Sequence, residues 1–281
     1  MNQRRIASQS VSAIGLGAMP LSVEGRPDRA QAVRTVHAAL DAGVTLVDTA
    51  DAYGLGADEV GHNERLVAEA LESWSGSGDV LVATKGGHTR PPDDSWALDG
   101  SRAHLRAACE ASLRALGVEA LGLYQLHRPD PDVPWAESVG ALEELRQEGK
   151  VVHVGVSNAD PDQIREACAI TPLAAVQNQL SPAYRSSLPE VALCQELGIA
   201  FLPWSPLGGM SAAADLGKEY AAFGEVARER GVSAQQVCLA WLLSLAPVVI
   251  PIPGSRRPAS IVDSAAAAEL VLTPQELARL G

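Results

Sequence analysis

The chain has 281 residues, of which 47% are hydrophobic and 20% are charged, so it can bury a sizeable core and is not intrinsically disordered. Twenty-two Lys and Arg against 34 Asp and Glu give a net charge of −12, which disfavours nucleic acid as a partner. No apolar run is long enough for a membrane span or a signal peptide, so we expect a cytoplasmic protein with no membrane partner. We also expect a monomer or weak oligomer. The cysteines and histidines lack the paired spacings of a metal site, so we expect free thiols and no metal.

A helix-like stretch that ends at a glycine and leads into a short aliphatic run recurs along the chain. Asp41-Ala42-Gly43 precedes such a run, and so does Leu197-Gly198. Glycine is favoured just past a helix because it adopts positive φ without a steric clash, and near-continuous apolar runs are typical of strands covered on both faces. The predicted strands lie near residues 12–16, 44–48, 79–84, 120–126, 151–156, 174–178, 199–204 and 248–252.

Eight strands that alternate with amphipathic helices predict an α/β protein with a (β/α)8 TIM barrel, whose usual size is about 250 residues. An extra helix-like segment, Lys218 to Arg230, lies before the last strand–helix unit. No linker or composition shift divides the chain, so we expect a single domain over residues 1–281. The alternative is an open, doubly wound sheet. Against it, the Gly-x-Gly at Gly15 and Gly17 lacks the third glycine of a dinucleotide fingerprint and runs into Pro20 instead of a helix.

Polar and ionisable side chains follow most of the predicted strands. In a barrel of this kind, the carboxyl ends of the strands carry the chemistry. Each residue has an ordinary explanation by itself, such as a helix cap for Asp48 or a solvated surface for Lys85, but their convergence on one rim favours a functional site. The residues at these ends are Asp48, Lys85, His127, Ser157, Asn158, Gln177, Trp204, Ser205, Gly254, Ser255 and Arg256.

Three of these strand-end residues, together with Tyr53, can donate a proton to an alkoxide. An ordinary tyrosine has a pKa of about 10; a neighbouring ammonium such as Lys85 lowers it, and a carboxylate such as Asp48 would keep that ammonium charged. His127 could orient a carbonyl oxygen through a hydrogen bond. Because an alkoxide develops when hydride adds to a carbonyl, this combination predicts carbonyl reduction.

Five separated stretches, in order along the chain, resemble the aldo-keto reductase family. They are Asp48-Thr49-Ala50-Asp51-Ala52-Tyr53, Ala83-Thr84-Lys85, Tyr124-Gln125-Leu126-His127, Gly155-Val156-Ser157-Asn158 and Trp204-Ser205-Pro206-Leu207-Gly208. The resemblance extends from about residue 12 to about residue 264. It implies a (β/α)8 barrel that binds NADPH or NADP+ without a Rossmann motif. It also implies an NADP-dependent oxidoreductase that reversibly reduces a small aldehyde or ketone to the alcohol.

By position, the resemblance assigns Tyr53 as the general acid, Lys85 and Asp48 as its supporting pair, and His127 as the residue that orients the substrate. It assigns the cofactor to residues at the ends of several strands. Gly17, Ala18 and Met19 after the first strand, together with Asp48, would lie beside the cofactor; Ser157, Asn158 and Gln177 would bind the nicotinamide carboxamide, and Trp204 would stack on its ring. Ser205, Pro206, Leu207 and Gly208 would follow the diphosphate. Gly254, Ser255 and Arg256, with Arg257 beside them, would meet the adenosine 2′-phosphate.

The sequence departs from the family pattern at two places. Asp263-Ser264 stands where the family usually has Glu-Asn facing the adenine, so we expect the adenine contacts to differ from those of the family. The loop after Leu207 is also short where many relatives carry a longer excursion over the cofactor, so we expect weaker closure. Trp96 is a candidate wall of the substrate pocket, and the sequence does not identify the carbonyl compound.

Two other functions remain open at this stage. Lys85 could form a Schiff base in a lyase of the aldolase type, although the Ser157-Asn158 and Trp204 stretches would have no role in that mechanism. Alternatively, the scaffold could bind the cofactor and act as a redox sensor.

Overall fold

A computed structural model of the protein describes residues 1–93 and 95–281. The strands are β1 (Gln3–Ile6), β2 (Gln9–Ser12), β3 (Leu16–Gly17), β4 (Leu46–Asp48), β5 (Leu81–Gly86), β6 (His88–Thr89), β7 (Ala97–Leu98), β8 (Leu121–Leu126), β9 (Val151–Ser157), β10 (Leu173–Gln177) and β11 (Ala200–Phe201). The helices are α1 (Arg29–Asp41), α2 (His62–Ser73), α3 (Arg102–Leu116), α4 (Trp135–Gln147), α5 (Pro161–Ile170), α6 (Leu188–Leu197), α7 (Leu216–Glu219), α8 (Ala221–Arg230), α9 (Ala234–Leu245), α10 (Pro258–Ala266) and α11 (Pro274–Leu280).

Within the described residues, seven strands form one parallel sheet in the order β11-β10-β9-β8-β5-β4-β3. The two edge strands are joined through the segment 248–254. On one side, Ile250 N–H donates to Phe201 O at 2.8 Å; on the other, Gly15 N–H donates to Pro251 O at 2.9 Å and Gly17 N–H to Pro253 O at 3.0 Å. These bonds close the sheet, and the predicted (β/α)8 barrel is confirmed.

The predicted strand near 248–252 is wrong as a regular strand, although it occupies the eighth position. It makes only isolated bridges, such as Val249 to Phe201, because Pro247, Pro251 and Pro253 have no N–H to donate to a ladder. The predicted first strand is also divided. Its start belongs to β2, which pairs with β1 in an antiparallel hairpin, and the barrel strand β3 contains two residues.

The expected glycine stops are present at several helix ends. Gly117 ends α3 with φ of +68° and Gly198 ends α6 with φ of +69°, and both donate their N–H back to the last turn. The extra segment predicted at Lys218 to Arg230 forms α7 and α8. Among the helices in the described ranges, none combines the length and apolarity needed to cross a membrane.

Apolar side chains fill the barrel and the layer between the barrel and its helices. Leu46, Leu81 and Leu123 lie inside the barrel, and Ile6 and Val11 of the N-terminal hairpin pack against them. The hairpin therefore covers the end where the strands begin, and the end where the strands stop is left for the site.

We predict that Gly17→Ala lowers the free energy of unfolding by about 1–3 kcal/mol, the usual cost of overpacking. A Cβ at Gly17 would lie 2.8 Å from the carbonyl oxygen of Ile252, a backbone atom of the closing segment that cannot rotate away. Gly140→Ala in α4 is the control, since no atom lies within 4 Å of its added Cβ. It should raise stability by about 0.5–1 kcal/mol. Urea denaturation measures both, and equal stability changes in the two variants would contradict the closure by this segment.

Candidate active site

A cavity of about 1040 Å³ opens at the carboxyl ends of the barrel strands. Most of the residues singled out from the sequence line it, but Ala18 and Gly208 are not among its described lining residues, and neither is Lys85, whose exposed fraction is 0%. The predicted residues on the cavity wall are Gly17, Met19, Asp48, Tyr53, His127, Ser157, Asn158, Gln177, Trp204, Ser205, Pro206, Leu207, Gly254, Ser255 and Arg256.

A buried ion pair lies beneath the cavity floor. Lys85 at the end of β5 places Nζ 2.6 Å from Asp48 Oδ1 at the end of β4 and donates a second bond to Thr49 O at 2.9 Å. Gln177 Nε2 donates to the other Asp48 oxygen at 2.8 Å. Burial lowers the pKa of Lys85, but Asp48 and Tyr53 outweigh it and the net shift is upward, so the lysine stays charged.

The Tyr53 hydroxyl accepts the third bond of the lysine, at 3.2 Å from Nζ. Burial raises the pKa of Tyr53, whereas the positive charge of Lys85 lowers it, and the net shift is upward. The ammonium therefore lowers the pKa of Tyr53, as the sequence predicts, but burial raises this pKa by more in the protein without cofactor. The phenol keeps its proton at neutral pH, as a proton donor must.

His127 lies beside the tyrosine at the end of β8. The two rings meet edge to face with centroids 5.6 Å apart, and the His127 carbonyl accepts a bond from Asn158 Nδ2 at 3.0 Å. Burial, together with the charges of Lys85 and the neighbouring residues, lowers the pKa of His127 well below its ordinary value. The ring is therefore neutral, and a neutral imidazole offers one N–H donor.

A short network connects the residues predicted to hold the nicotinamide carboxamide. Ser157 Oγ donates to Gln177 O at 2.7 Å, Asn158 Nδ2 donates to Ser157 Oγ at 3.0 Å, and Trp204 Nε1 donates to Asn158 Oδ1 at 3.2 Å. Asn158 and Ser205 have positive φ values of +60° and +48°, which are uncommon for residues other than glycine. These bonds fix the strand-end side chains that line the cavity.

Arg256 bridges two loops at the far end of the cavity. Its Nη2 donates to Glu24 O at 2.7 Å and lies 3.5 Å from the Met210 sulfur, while Gln31 Nε2 donates to the Arg256 carbonyl at 2.9 Å. The Arg256 Nε atom is buried and has no partner within the described part of the chain. The guanidinium thus connects the loop before α1 to the short loop after Leu207.

The residues at the predicted adenine position differ in their contacts. Asp263 accepts bonds from Ser233 Oγ and Gln236 Nε2, both at 2.6 Å, so its carboxylate is occupied by the start of α9. Ser264 is buried and also lines the cavity. Ala18 is held by its backbone, whose N–H donates to Asp48 O at 2.8 Å.

Three contributors to the site were not predicted. Gln125 lies 3.4 Å from Asp48 Oδ2, and its position two residues before His127 on β8 is the period-two signal that could have found it. Asn63 is fully buried and donates to Ala18 O at 2.9 Å, and His88 lines the cavity beside His127. Asn63 and His88 carry no distinctive spacing in the sequence.

Two further carboxyl groups are buried behind the ion pair. Asp51 Oδ1 has no partner among the described residues, and burial followed by the nearby Glu64 raises the pKa of Asp51 well above its ordinary value. Glu64 accepts a bond from Thr84 Oγ1 at 2.5 Å, and its pKa is also raised, chiefly by burial. Both shifts are upward because burial disfavours the ionised form of a carboxyl group.

The sequence profile of the Aldo/keto reductase family matches residues 13–281, so the chain belongs to this family, as the motifs predict. It is 34% identical to pyridoxine 4-dehydrogenase of Escherichia coli, over 99% of this chain and 97% of that protein. The structure of a glycerol dehydrogenase from Gluconobacter oxydans matches with a TM-score of 0.85 at 28% identity, over 99% of this chain and 93% of that one. An aldo-keto reductase from Klebsiella pneumoniae in complex with NADPH matches with a TM-score of 0.83 at 29% identity, over 100% of this chain and 94% of that one.

We predict that Asp51→Asn becomes progressively more stable, relative to the parent protein, as the pH rises above about 4. The pKa of Asp51 is higher in the folded state than in the unfolded chain. The folded parent therefore binds more protons in this window and loses stability as the pH rises, a loss that asparagine removes. Thermal unfolding at pH 5, 6.5 and 8 measures the trend. Exposed Asp58→Asn is the control, and a constant difference for Asp51→Asn across the three pH values would contradict the burial of an ionisable carboxyl.

Proposed function

We propose that the protein is an NADPH-dependent reductase of aldehydes or ketones that also oxidises the corresponding alcohols. The observation that carries this proposal is the contact of Tyr53 with Lys85 and His127 at the floor of an open cavity. A phenol with a hydrogen-bonded ammonium on one side and a neutral imidazole on the other suits proton donation to a carbonyl oxygen.

The cavity fits an extended nicotinamide dinucleotide. Its lining continues from Asp48 and Tyr53, past the amide groups of Asn158 and Gln177, to Arg256 at the opposite end. A Cβ at Gly254 would lie 2.7 Å from a side-chain atom of Pro20, so glycine allows the loops to approach closely there. When bound, NADPH supplies the hydride. Ser157, Asn158 and Gln177 would hold its carboxamide, and the guanidinium of Arg256, which lines the cavity, suits a phosphate.

In this proposal the proton passes from Tyr53 to the substrate. The His127 N–H binds the carbonyl oxygen of the substrate, and as hydride adds to the carbon, the Tyr53 O–H bond breaks and its proton passes to that oxygen. Lys85 then stabilises the phenolate that remains, since Nζ lies 3.2 Å from the tyrosine oxygen. In the oxidative direction the phenolate takes the proton back from the alcohol.

The buried state of Lys85 disfavours the lyase alternative. A Schiff base requires an uncharged amine that meets the substrate, whereas Nζ is fully enclosed and bonded to three oxygens of Asp48, Thr49 and Tyr53. The sensor alternative gains no support from the site, because a sensor has no need of a positioned proton donor.

Two similarities support the choice of substrate and cofactor class. The Klebsiella pneumoniae relative was solved with NADPH, and the curated relatives include a pyridoxine 4-dehydrogenase. Both are consistent with hydride transfer between a nicotinamide and a carbonyl or alcohol. We infer from them a small carbonyl compound as the substrate of this chain.

We predict that Tyr53→Phe lowers kcat by about 10²–10⁴ while the Kd for NADPH stays nearly unchanged, because only the transferable proton is removed. Steady-state reduction of a panel of aldehydes and ketones gives kcat, and fluorescence titration gives the Kd. Tyr184→Phe is the matched control, since Tyr184 is exposed and outside the cavity lining. A Tyr53→Phe variant with the parent's kcat would remove the phenol from the mechanism.

We predict that Arg256→Ala weakens NADPH binding by about tenfold to a hundredfold and leaves NADH binding little changed. A charged hydrogen bond contributes about 1.5–3 kcal/mol, and only NADPH carries the 2′-phosphate. Arg257→Ala, at the exposed neighbour, should have a smaller effect. Isothermal titration with both cofactors tests this, and equal affinities for NADPH and NADH in the parent protein would contradict the proposed phosphate contact.

A further inference from the structure

The wall of the cavity beside His127 is formed by a residue with no role so far. His88 lies in β6, which pairs with β7 in a two-stranded hairpin outside the barrel sheet. Its ring meets the His127 ring edge to face, with centroids only 4.2 Å apart. Since His127 orients the carbonyl oxygen in the proposed function, a group bonded to His88 would lie within a few bonds of the reacting carbon.

A column of rings holds His88 in place. Tyr53 packs against His127, His127 against His88, and His88 against Trp96 with centroids 5.5 Å apart. Arg90 stacks on the outer face of Trp96, with its guanidinium carbon 4.3 Å from the ring centroid. The His88 ring therefore has a fixed orientation next to the catalytic tyrosine and histidine. A side chain that discriminates between substrates needs such a fixed orientation.

The hydrogen bond on the other side of the ring identifies the tautomer. His88 Nδ1 lies 3.3 Å from the carbonyl oxygen of Ala97, and because a carbonyl can only accept, Nδ1 carries the proton. Burial lowers the pKa of His88, and the positive charges of Arg128 and Lys85 act in the same direction, so the ring is neutral. Nε2 is therefore a lone-pair acceptor.

This acceptor is available to a ligand. Within the described residues Nε2 forms no hydrogen bond and is not enclosed by other atoms. Because His88 lines the cavity, this nitrogen is accessible to solvent there. The site thus presents a donor on His127 and, on the adjoining ring, an acceptor. A carbonyl oxygen satisfies the first, and only a group with its own proton satisfies the second.

We propose that His88 determines substrate specificity, with Nε2 accepting a hydrogen bond from a hydroxyl on the carbon next to the substrate carbonyl. The preferred substrates are then α-hydroxy aldehydes and α-hydroxy ketones, and in the oxidative direction vicinal diols. This inference rests on the proposed reductase function and adds the substrate class. A hydroxyl on the adjacent carbon matches the short separation of the two imidazole rings, whereas a purely apolar substituent leaves the acceptor without a partner.

The test uses two pairs of nearly isosteric probes. Hydroxyacetone is compared with butan-2-one, and 2-hydroxypropanal with 2-methylpropanal, so that each pair exchanges a hydroxyl for a methyl group. The measured quantity is the ratio of kcat/KM within each pair, corrected for hydration of the carbonyl. The inductive effect of the hydroxyl is the same in every variant, so differences between variants report on the protein.

In His88→Phe, which keeps a ring between His127 and Trp96, the preference for the hydroxylated probe should fall by about two- to tenfold, the weight of one neutral hydrogen bond. His88→Gln places an acceptor oxygen on a side chain of similar reach and should retain part of the preference. His37→Phe is the matched control, because His37 Nε2 also bonds a backbone carbonyl, at 2.8 Å from Ala70 O, but the residue lies outside the cavity lining. Its ratio should equal that of the parent.

Each outcome has a distinct meaning. A ratio that falls in His88→Phe and recovers in His88→Gln supports the inference. An unchanged ratio in His88→Phe, including one in which both probes slow equally, reduces His88 to a packing residue and overturns the inference while leaving the reductase function intact. If the parent protein reduces other members of the aldehyde and ketone panel but none of the four probes, the inference alone is overturned. If it reduces no member of the whole panel with saturating NADPH, the proposed function is overturned and this inference with it.

Discussion

The ion pair between Lys85 and Asp48 is the constraint on which the site depends. Its two charges lie 2.6 Å apart with side-chain exposures of 0% and 4%, so each is stable in the barrel only because the other is present. Removing one partner of such a pair typically costs about 3–5 kcal/mol. The remaining bonding capacity of the pair is taken by Thr49, Gln177 and Tyr53. Satisfying these two charges therefore fixes the position of the phenol.

The barrel supplies these groups because parallel strands bring their carboxyl ends to one rim. Asp48, Lys85 and Gln177 are the terminal or penultimate residues of β4, β5 and β10, far apart along the chain and adjacent at the barrel end. At the closing segment, proline replaces the regular ladder with separate hydrogen bonds. This irregularity lies beside Gly254 and Ser255, which line the cavity.

The sequence predicts the barrel and most of the cavity wall, because strand ends can be read from the positions where apolar runs stop. It does not predict the irregular segment at the eighth position of the barrel. An apolar run still indicates a strand by its hydrophobicity, even where prolines within it and beside it prevent a regular ladder. The sequence does not identify His88 because its strand has only two residues. A strand that short shows no hydrophobic periodicity that would place it beside the barrel. The direction of the pKa shift of Tyr53 also depends on burial, which the spacing of charges does not reveal. The roles of the individual site residues stay predictions.

The hairpin of β6 and β7 has a consequence for how such an enzyme can change over time. It is connected to β5 through Gly87, whose φ of +102° allows the chain to turn away, and its hydrogen bonds are its own and not those of the barrel sheet. Mutations in it therefore leave the barrel ladder and the buried ion pair unaltered. In the proposed function, the ion pair that supports proton donation belongs to the barrel, whereas His88 belongs to this hairpin. Substitutions that change the substrate preference can therefore arise at the hairpin while the hydrogen-bonded barrel around the ion pair stays intact.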